Sequence, residues 1–176
     1  MTQVTPNVFQ VKNSWLWQQI EVEFPTAESL RGRARYQELL DAQEVVSLSL
    51  SDDVTNEQLD GVFLVDFHRL TVMFALLQAK RATDEVAQNE LVEFFTQIIY
   101  SEPCDLYLGF ADGQPIAAAL LTKSDDEVLV SDVVMLPNSL YSSTQSYIQA
   151  LLKKSQAVQP NSQLWLEQPS GNPLLG

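Results

Sequence analysis

The sequence predicts an α+β domain with a mostly antiparallel sheet packed against helices. Three observations carry this. The stretch from Asp105 to Pro137 holds three apolar runs separated by two sets of turn residues, the pattern of an antiparallel meander. Helical periodicity flanks the meander on both sides. Short alternating runs occur near each end of the chain. At 176 residues one domain is the expectation, spanning 1–176.

In the meander, Leu106–Phe110 is the first predicted strand, and Asp112-Gly113 supplies the positive φ angles of a tight hairpin. Ile116–Thr122 is the second strand and Ser124-Asp125-Asp126 the second turn. Val128–Leu136 is the third, ended by Pro137, which has no N–H to give a ladder.

Upstream, residues 1–13 are polar and read as loose. Trp15–Phe24 alternates at Ile20, Val22 and Phe24, which predicts a strand ended by Pro25. Thr26 then caps a helix over Ala27–Gln43, so 14–44 reads as a strand–helix extension. Val45–Leu50 reads as a short strand. Asp52-Asp53 and Thr55 open a helix from about Glu57 to Lys80, apolar on nearly every face and therefore central. Gly61, early in it, marks a place where another backbone approaches. Ala82-Thr83-Asp84 recaps the chain for an amphipathic helix over Glu85–Tyr100. Beyond the meander, Tyr141–Ala157 reads as a helix and Gln163–Glu167 as a last strand.

The net charge of −13 excludes some partners. Residues 1–100 carry 15 acidic and 7 basic side chains, and 101–176 carry 8 and 3, so no segment forms a basic face. A nucleic-acid backbone is not an expected partner. The most apolar stretch, Val62–Ala79, is interrupted by Asp66, His68, Arg69 and Gln78, which argues against a membrane span. One cysteine, Cys104, permits no internal disulfide. That and the lack of a leader-like N-terminus predict a cytoplasmic protein. One histidine and one cysteine do not make a zinc site of the usual kind.

Individual residues mostly read as structural. His68 and Asp66 lie two apart and diverge on a helix. Cys104 has no base near it in sequence and reads as an inert thiol. Arg31, Arg33 and Arg35 are the one basic cluster, but Glu28 and Glu38 stand three residues from Arg31 and Arg35, the spacing of helix-surface ion pairs. Trp15, Trp17 and Trp165 read as core or interface anchors.

From Val45 the predicted order is strand, two helices, meander, helix, strand. This order, with Gly113-Gln114-Pro115-Ile116-Ala117 and Asp132-Val133-Val134-Met135-Leu136-Pro137, resembles the core of the GNAT acyltransferase superfamily over about residues 45–172. The resemblance implies a cleft where the strand holding Asp132 splays from the next, with acetyl-CoA or another acyl-CoA inserted there. It makes Asp132 the candidate base for a small amine substrate. It places cofactor contacts at Val134 and Leu136 and at Ser142, Ser143 and Thr144, where backbone N–H groups at a helix start would meet the pyrophosphate. The family's Gln/Arg-x-x-Gly-x-Gly/Ala loop is replaced here by Leu140-Tyr141-Ser142-Ser143-Thr144-Gln145. The site therefore reads as degenerate, with weak or absent transfer. A Gly-x-Ala does occur as Gly32-Arg33-Ala34, away from the expected place. The family's closing strand pair is also missing, which predicts a homodimer or an edge covered by Trp15–Phe24. Residues Glu85–Glu167 also resemble type III secretion chaperones, which implies an acidic dimeric module that binds a protein client.

Overall fold

The structure is a computed structural model that describes residues 5–174. Its sheet has six strands: β1 (Gln43–Ser47), β2 (Val62–Leu64), β3 (Cys104–Ala111), β4 (Gln114–Ser124), β5 (Glu127–Met135) and β6 (Gln163–Pro169). Their order across the sheet is β1-β6-β5-β4-β3-β2. Every pairing is antiparallel except β5 with β6. The α+β expectation holds, and the meander forms in sequence order. Asp112 (φ 53°) and Gly113 (φ 75°) turn the first hairpin, and Asp125 (φ 53°) turns the second. Aspartate and glycine suit these left-handed positions because one hydrogen-bonds locally and the other lacks a Cβ.

Among the described residues six α-helices flank the sheet. They are α1 (Asn7–Trp17), α2 (Ala27–Asp41), α3 (Asn56–Asp60), α4 (His68–Ala79), α5 (Glu85–Phe95) and α6 (Thr144–Ser155). The strands' period of two divides the apolar residues between two cores. Leu106, Leu108, Ala118 and Leu120 pack with Leu16 of α1, Tyr36 of α2, Phe74 of α4 and Phe94 of α5. Tyr107, Ala117, Ala119 and Leu121 pack on the other face with Tyr147, Ile148, Leu151 and Leu152 of α6.

Several sequence-based expectations are corrected. Of the stretch 1–13 expected to be loose, residues 7–13 lie in α1 and residues 1–4 lie outside the described residues, and Trp15–Phe24 is not a strand: α1 runs to Trp17 and a 3₁₀ turn covers Gln18–Ile20. The extension 14–44 is thus helix, 3₁₀ turn and helix until β1 begins at Gln43. Val22 and Phe24, which suggested alternation, are exposed, whereas Val8, Lys12, Trp15 and Leu16 are buried at helical spacing. Lys12 in that apolar stripe hid the helix. The expected helix from Glu57 to Lys80 is three elements. Thr55 and Gln58 form a reciprocal capping box for α3, Gly61 ends it, β2 follows, and α4 starts at His68. The helix after the meander starts at Thr144, not Tyr141, because Ser143 and Ser146 cap each other there. The helix ending at Phe95 is shorter than the Glu85–Tyr100 expected.

The expected open side of the sheet is closed from within. β1 pairs antiparallel with β6 from Gln43↔Pro169 to Ser47↔Trp165. Trp15–Phe24 therefore covers no edge as a strand. The reasoning about an unclosed sheet now attaches to the two outer strands, β1 and β2.

Candidate functional site

The point of interest is where β5 and β6 separate. Their parallel pairing runs from Glu127↔Gln163 to Val130↔Leu166 and stops. β5 then stays with β4, pairing Ala118↔Val134 and Ala117↔Met135. A bulge makes the divergence. Leu120 faces Ser131 and Ala118 faces Val134, so Ala119 stands opposite two residues, Asp132 and Val133. Asp132 takes φ 54°, a conformation aspartate tolerates better than most residues. Gln78 of α4 donates to its carbonyl oxygen at 2.6 Å.

The bulge also redirects side chains. Simple alternation would put Val130, Asp132 and Val134 on one face. Instead Val130 packs on the α6 side, while Val134 packs with the core on the side of α1 and Asp132 meets Lys12 of that helix. Asp132 is 2% exposed, not a solvated carboxylate. Arg81 donates to its Oδ1 at 2.8 Å and Ser131 to its Oδ2 at 2.7 Å. Lys12 Nζ lies 3.5 Å from Asp132 Oδ2 and 2.6 Å from Glu167 Oε1, and it donates to the Tyr36 hydroxyl at 2.7 Å. Glu167 is the residue after the last β5–β6 pair. One ammonium from α1 therefore bridges both strands where they part.

Burial works against charge on Asp132, but Lys12, Arg81 and the Ser131 hydroxyl outweigh it and hold the carboxyl well below its ordinary range. Burial pushes Glu167 the other way, and the nearby Asp132 adds to the rise, with Lys12 only partly countering it. Burial and the same two carboxylates push the Tyr36 hydroxyl well above its usual value. The second oxygen of Glu167, Oε2, is buried without a hydrogen-bond partner. Asp132 is thus a weak base, sealed from solvent and committed to two cations. As the general base implied by the resemblance it is poorly placed.

The loop before α6 is committed in part. Asn138 Oδ1 accepts from the N–H groups of Leu140 and Tyr141 at 2.9 and 2.7 Å. Ser146 Oγ accepts from Ser143 N–H and Ser143 Oγ from Ser146 N–H. The Tyr141 hydroxyl donates to the Gln58 carbonyl at 2.6 Å, and Gln58 Nε2 donates to the Leu140 carbonyl at 3.3 Å. Gly61 is required underneath: a Cβ there would lie 2.7 Å from Leu140 Cδ2 and from the Tyr141 hydroxyl, and 2.9 Å from the Phe110 carbonyl. The close approach expected at Gly61 is this one. Ser142, Ser143 and Thr144 do stand at a helix start, and Val134 and Leu136 are half-buried at the end of β5. Asp132 bonds with none of these residues; its partners are Lys12, Gln78, Arg81 and Ser131.

Outside this region the sequence readings fare unevenly. Cys104 is buried against Thr122 at 3.2 Å, and burial pushes its thiol up to about 12. Arg31 and Arg35 pair with Glu28 and Glu38 as their spacing suggested, but both also reach Glu90 of α5. Gly32 permits that crossing, since a Cβ would overlap the Glu90 carbonyl. Trp15 is buried and donates to Ser101 Oγ, while Trp17 lies beneath the Arg33 guanidinium at 4.1 Å. Sequence reasoning missed Lys12 and Glu167 altogether. Their one signal was charge inside otherwise apolar stripes.

A second cleft, of about 520 Å³, opens beside β2. Glu57, Asp60 and Asp112 line it, with Phe63 and Phe110 packed edge to face at 5.2 Å. Among the described residues no group of histidine, cysteine or carboxylate side chains is arranged to hold a metal ion, and no helix is long and apolar enough to cross a membrane.

No protein-family model matches the sequence, and no curated protein matches it. Among solved structures, the chain is similar to a protein described as a GNAT-family acetyltransferase from Novosphingobium aromaticivorans. Identity is 15% and the TM-score 0.38, over 74% of this chain and 56% of that one. A likeness at that level carries no argument about activity.

Proposed function

We propose that the chain is a binding module on a GNAT-like scaffold, with its acyl-CoA cleft closed and acyltransferase activity weak or absent. One observation carries the reading. The strands part where a pantetheine arm would enter, and the gap holds the buried Lys12–Asp132–Glu167 cluster instead. The loop supports it. Four N–H groups, of Leu140, Tyr141, Ser143 and Ser146, are already bonded to side chains of the same loop. Of the three N–H groups expected to meet the pyrophosphate, that of Ser143 would have to give up its bond to Ser146 Oγ, and Leu140 offers a phosphate neither charge nor a side-chain donor. The net charge of −13 adds a long-range field that opposes a polyanion.

The reading keeps the client-binding role that the chaperone resemblance implied and assigns it to a different architecture. It is tested by ligand-dependent melting. A ligand at a hundred times its Kd stabilises a fold by about 2.7 kcal/mol, a midpoint rise of roughly 5–10 °C in a chain this size. Acetyl-CoA at millimolar concentration is expected to leave the midpoint unchanged. A rise of that size, with release of CoA in the presence of a small amine, would overturn the reading.

A further inference from the structure

We propose that the cavity between α2, the turn after α4 and the start of α5 binds a small zwitterion, an α-amino acid whose carboxylate pairs with the free edge of the Arg81 guanidinium. The inference goes beyond the closed-cleft reading and stands whether or not that cleft admits acyl-CoA.

Arg81 carries the inference, and the turn after α4 places it. Lys80 N–H donates to Leu77 O, Arg81 N–H to Gln78 O and Ala82 N–H to Ala79 O, each at 3.1 Å. Gln88 of α5 donates to the Ala82 carbonyl at 2.8 Å and ties the turn to the next helix. A guanidinium offers five N–H donors. Here Nη1 donates to Gln78 Oε1 at 3.0 Å and to Asp132 Oδ1 at 2.8 Å. Nε and Nη2 donate to no residue among those described, yet neither belongs to the buried polar atoms left without a partner. They therefore face solvent, although the side chain is only 13% exposed. The cavity that Arg81 lines measures about 230 Å³. Nε and Nη2 form the edge of the fork that matches the two oxygens of a carboxylate. Asp132 and Gln78 already hold the plane of that fork, so a ligand has little ordering left to bring about.

The rest of the lining selects a zwitterion over a plain anion. Arg35 of α2 adds a second cation, held through Nε to Glu90 at 3.2 Å. Glu38 and Asp84 stand in the same lining. Two guanidiniums against two carboxylates leave the lining without net charge, and the chain's −13 opposes a phosphate dianion. Asp84 Oδ1 caps α5 by accepting from Ala87 N–H at 2.9 Å, and no donor among the described residues reaches its Oδ2. Glu38 is loosely engaged, 4.0 Å from Arg35 Nη1. These two carboxylates are the partners for an ammonium group. Leu39 and Leu91 give an apolar wall for a short side chain.

The test titrates the full chain with L-valine and reads the backbone amide and arginine Nε–H resonances. Valine is expected to bind saturably in the millimolar range or tighter, with the largest shifts at Arg81 Nε–H and at the amides of Thr83 and Asp84. L-valinamide, which lacks the carboxylate, should bind at least tenfold more weakly, and isovalerate, which lacks the ammonium, at least threefold. Arg81→Lys keeps a cation beside Asp132 but loses the fork, so it should weaken valine at least tenfold. Asp84→Asn keeps the helix cap and should weaken valine at least threefold without weakening isovalerate; it carries the test should Arg81→Lys fail to fold. Equal affinity for valine and valinamide would overturn the inference, as would unchanged binding by a folded Arg81→Lys, unchanged binding by Asp84→Asn, shifts spread over the whole surface, or no saturable shift across the millimolar range. Equal affinity for valine and isovalerate would overturn it in favour of a plain carboxylate.

Discussion

Lys12→Met is the most informative single change. In the parent, one fully buried ammonium serves Glu167 at 2.6 Å, Asp132 at 3.5 Å and the Tyr36 hydroxyl at 2.7 Å. Asp132 would keep Arg81 and Ser131. Glu167 would lose its one ion-pair partner while its other oxygen already lacks a hydrogen bond. Removing one member of a buried pair costs about 3–5 kcal/mol. At about 2–4 °C per kcal/mol for a chain this size, the midpoint at pH 7 falls by roughly 10 °C. The pH dependence follows from the direction of the Glu167 shift. Its folded-state pKa is raised, and without Lys12 it rises further. A raised folded pKa means the carboxyl's contribution is intact below the unfolded value, about 4.3, and is lost as pH rises through the folded one. The deficit of the variant relative to the parent is therefore large at pH 7 and shrinks toward pH 4.5. Lys12→Met/Glu167→Leu removes both charges and should recover at least half of the loss. Urea unfolding of the three proteins at pH 7 and pH 4.5 reads all of this. A loss below about 1 kcal/mol, a pH-independent loss, or a double variant no more stable than the single would refute the account of the cluster.

Gly61→Ala places a methyl against Leu140, Tyr141 and the Phe110 carbonyl; overpacking of this kind costs about 1–3 kcal/mol, and amide exchange should quicken at Leu140 and Tyr141. Unchanged stability and exchange would mean that the loop does not rest on α3 as described. The Cys104 thiol, pushed up to about 12 by burial, should resist a disulfide reagent in the native protein at pH 8 and react at once in guanidinium. Rapid native labelling would contradict its burial.

How much of this was legible in the sequence depended on whether local chemistry or tertiary partners set the conformation. The meander was legible because Asp112-Gly113 and Ser124-Asp125-Asp126 impose turns by themselves, and Asp112 and Gly113 adopt the positive φ angles expected. The Thr26 cap was legible for the same reason: its hydroxyl accepts from Ser29 N–H. The first helix was not, because Lys12 occupies a core position whose partners are 24, 120 and 155 residues away. The break at Gly61 was hidden by the apolar residues on both sides, which suit a buried strand as well as a buried helix. Asp132 was singled out as a candidate base and given the wrong environment, since it is buried. Nothing local announces a bulge, and its burial depends on Lys12 of α1, Gln78 of α4 and Arg81 in the turn after α4. The loop was read as degenerate from its lack of glycine. Its internal bonds through Asn138 and Ser146 were visible only in three dimensions.

Calorimetric titration of the purified protein with acetyl-CoA tests the closed cleft most directly. The account predicts no saturable heat up to millimolar ligand, with the same result for Ser143→Trp. Micromolar binding that Ser143→Trp abolishes would contradict it, because it would show a phosphate reaching the start of α6 and a working acyl-CoA site.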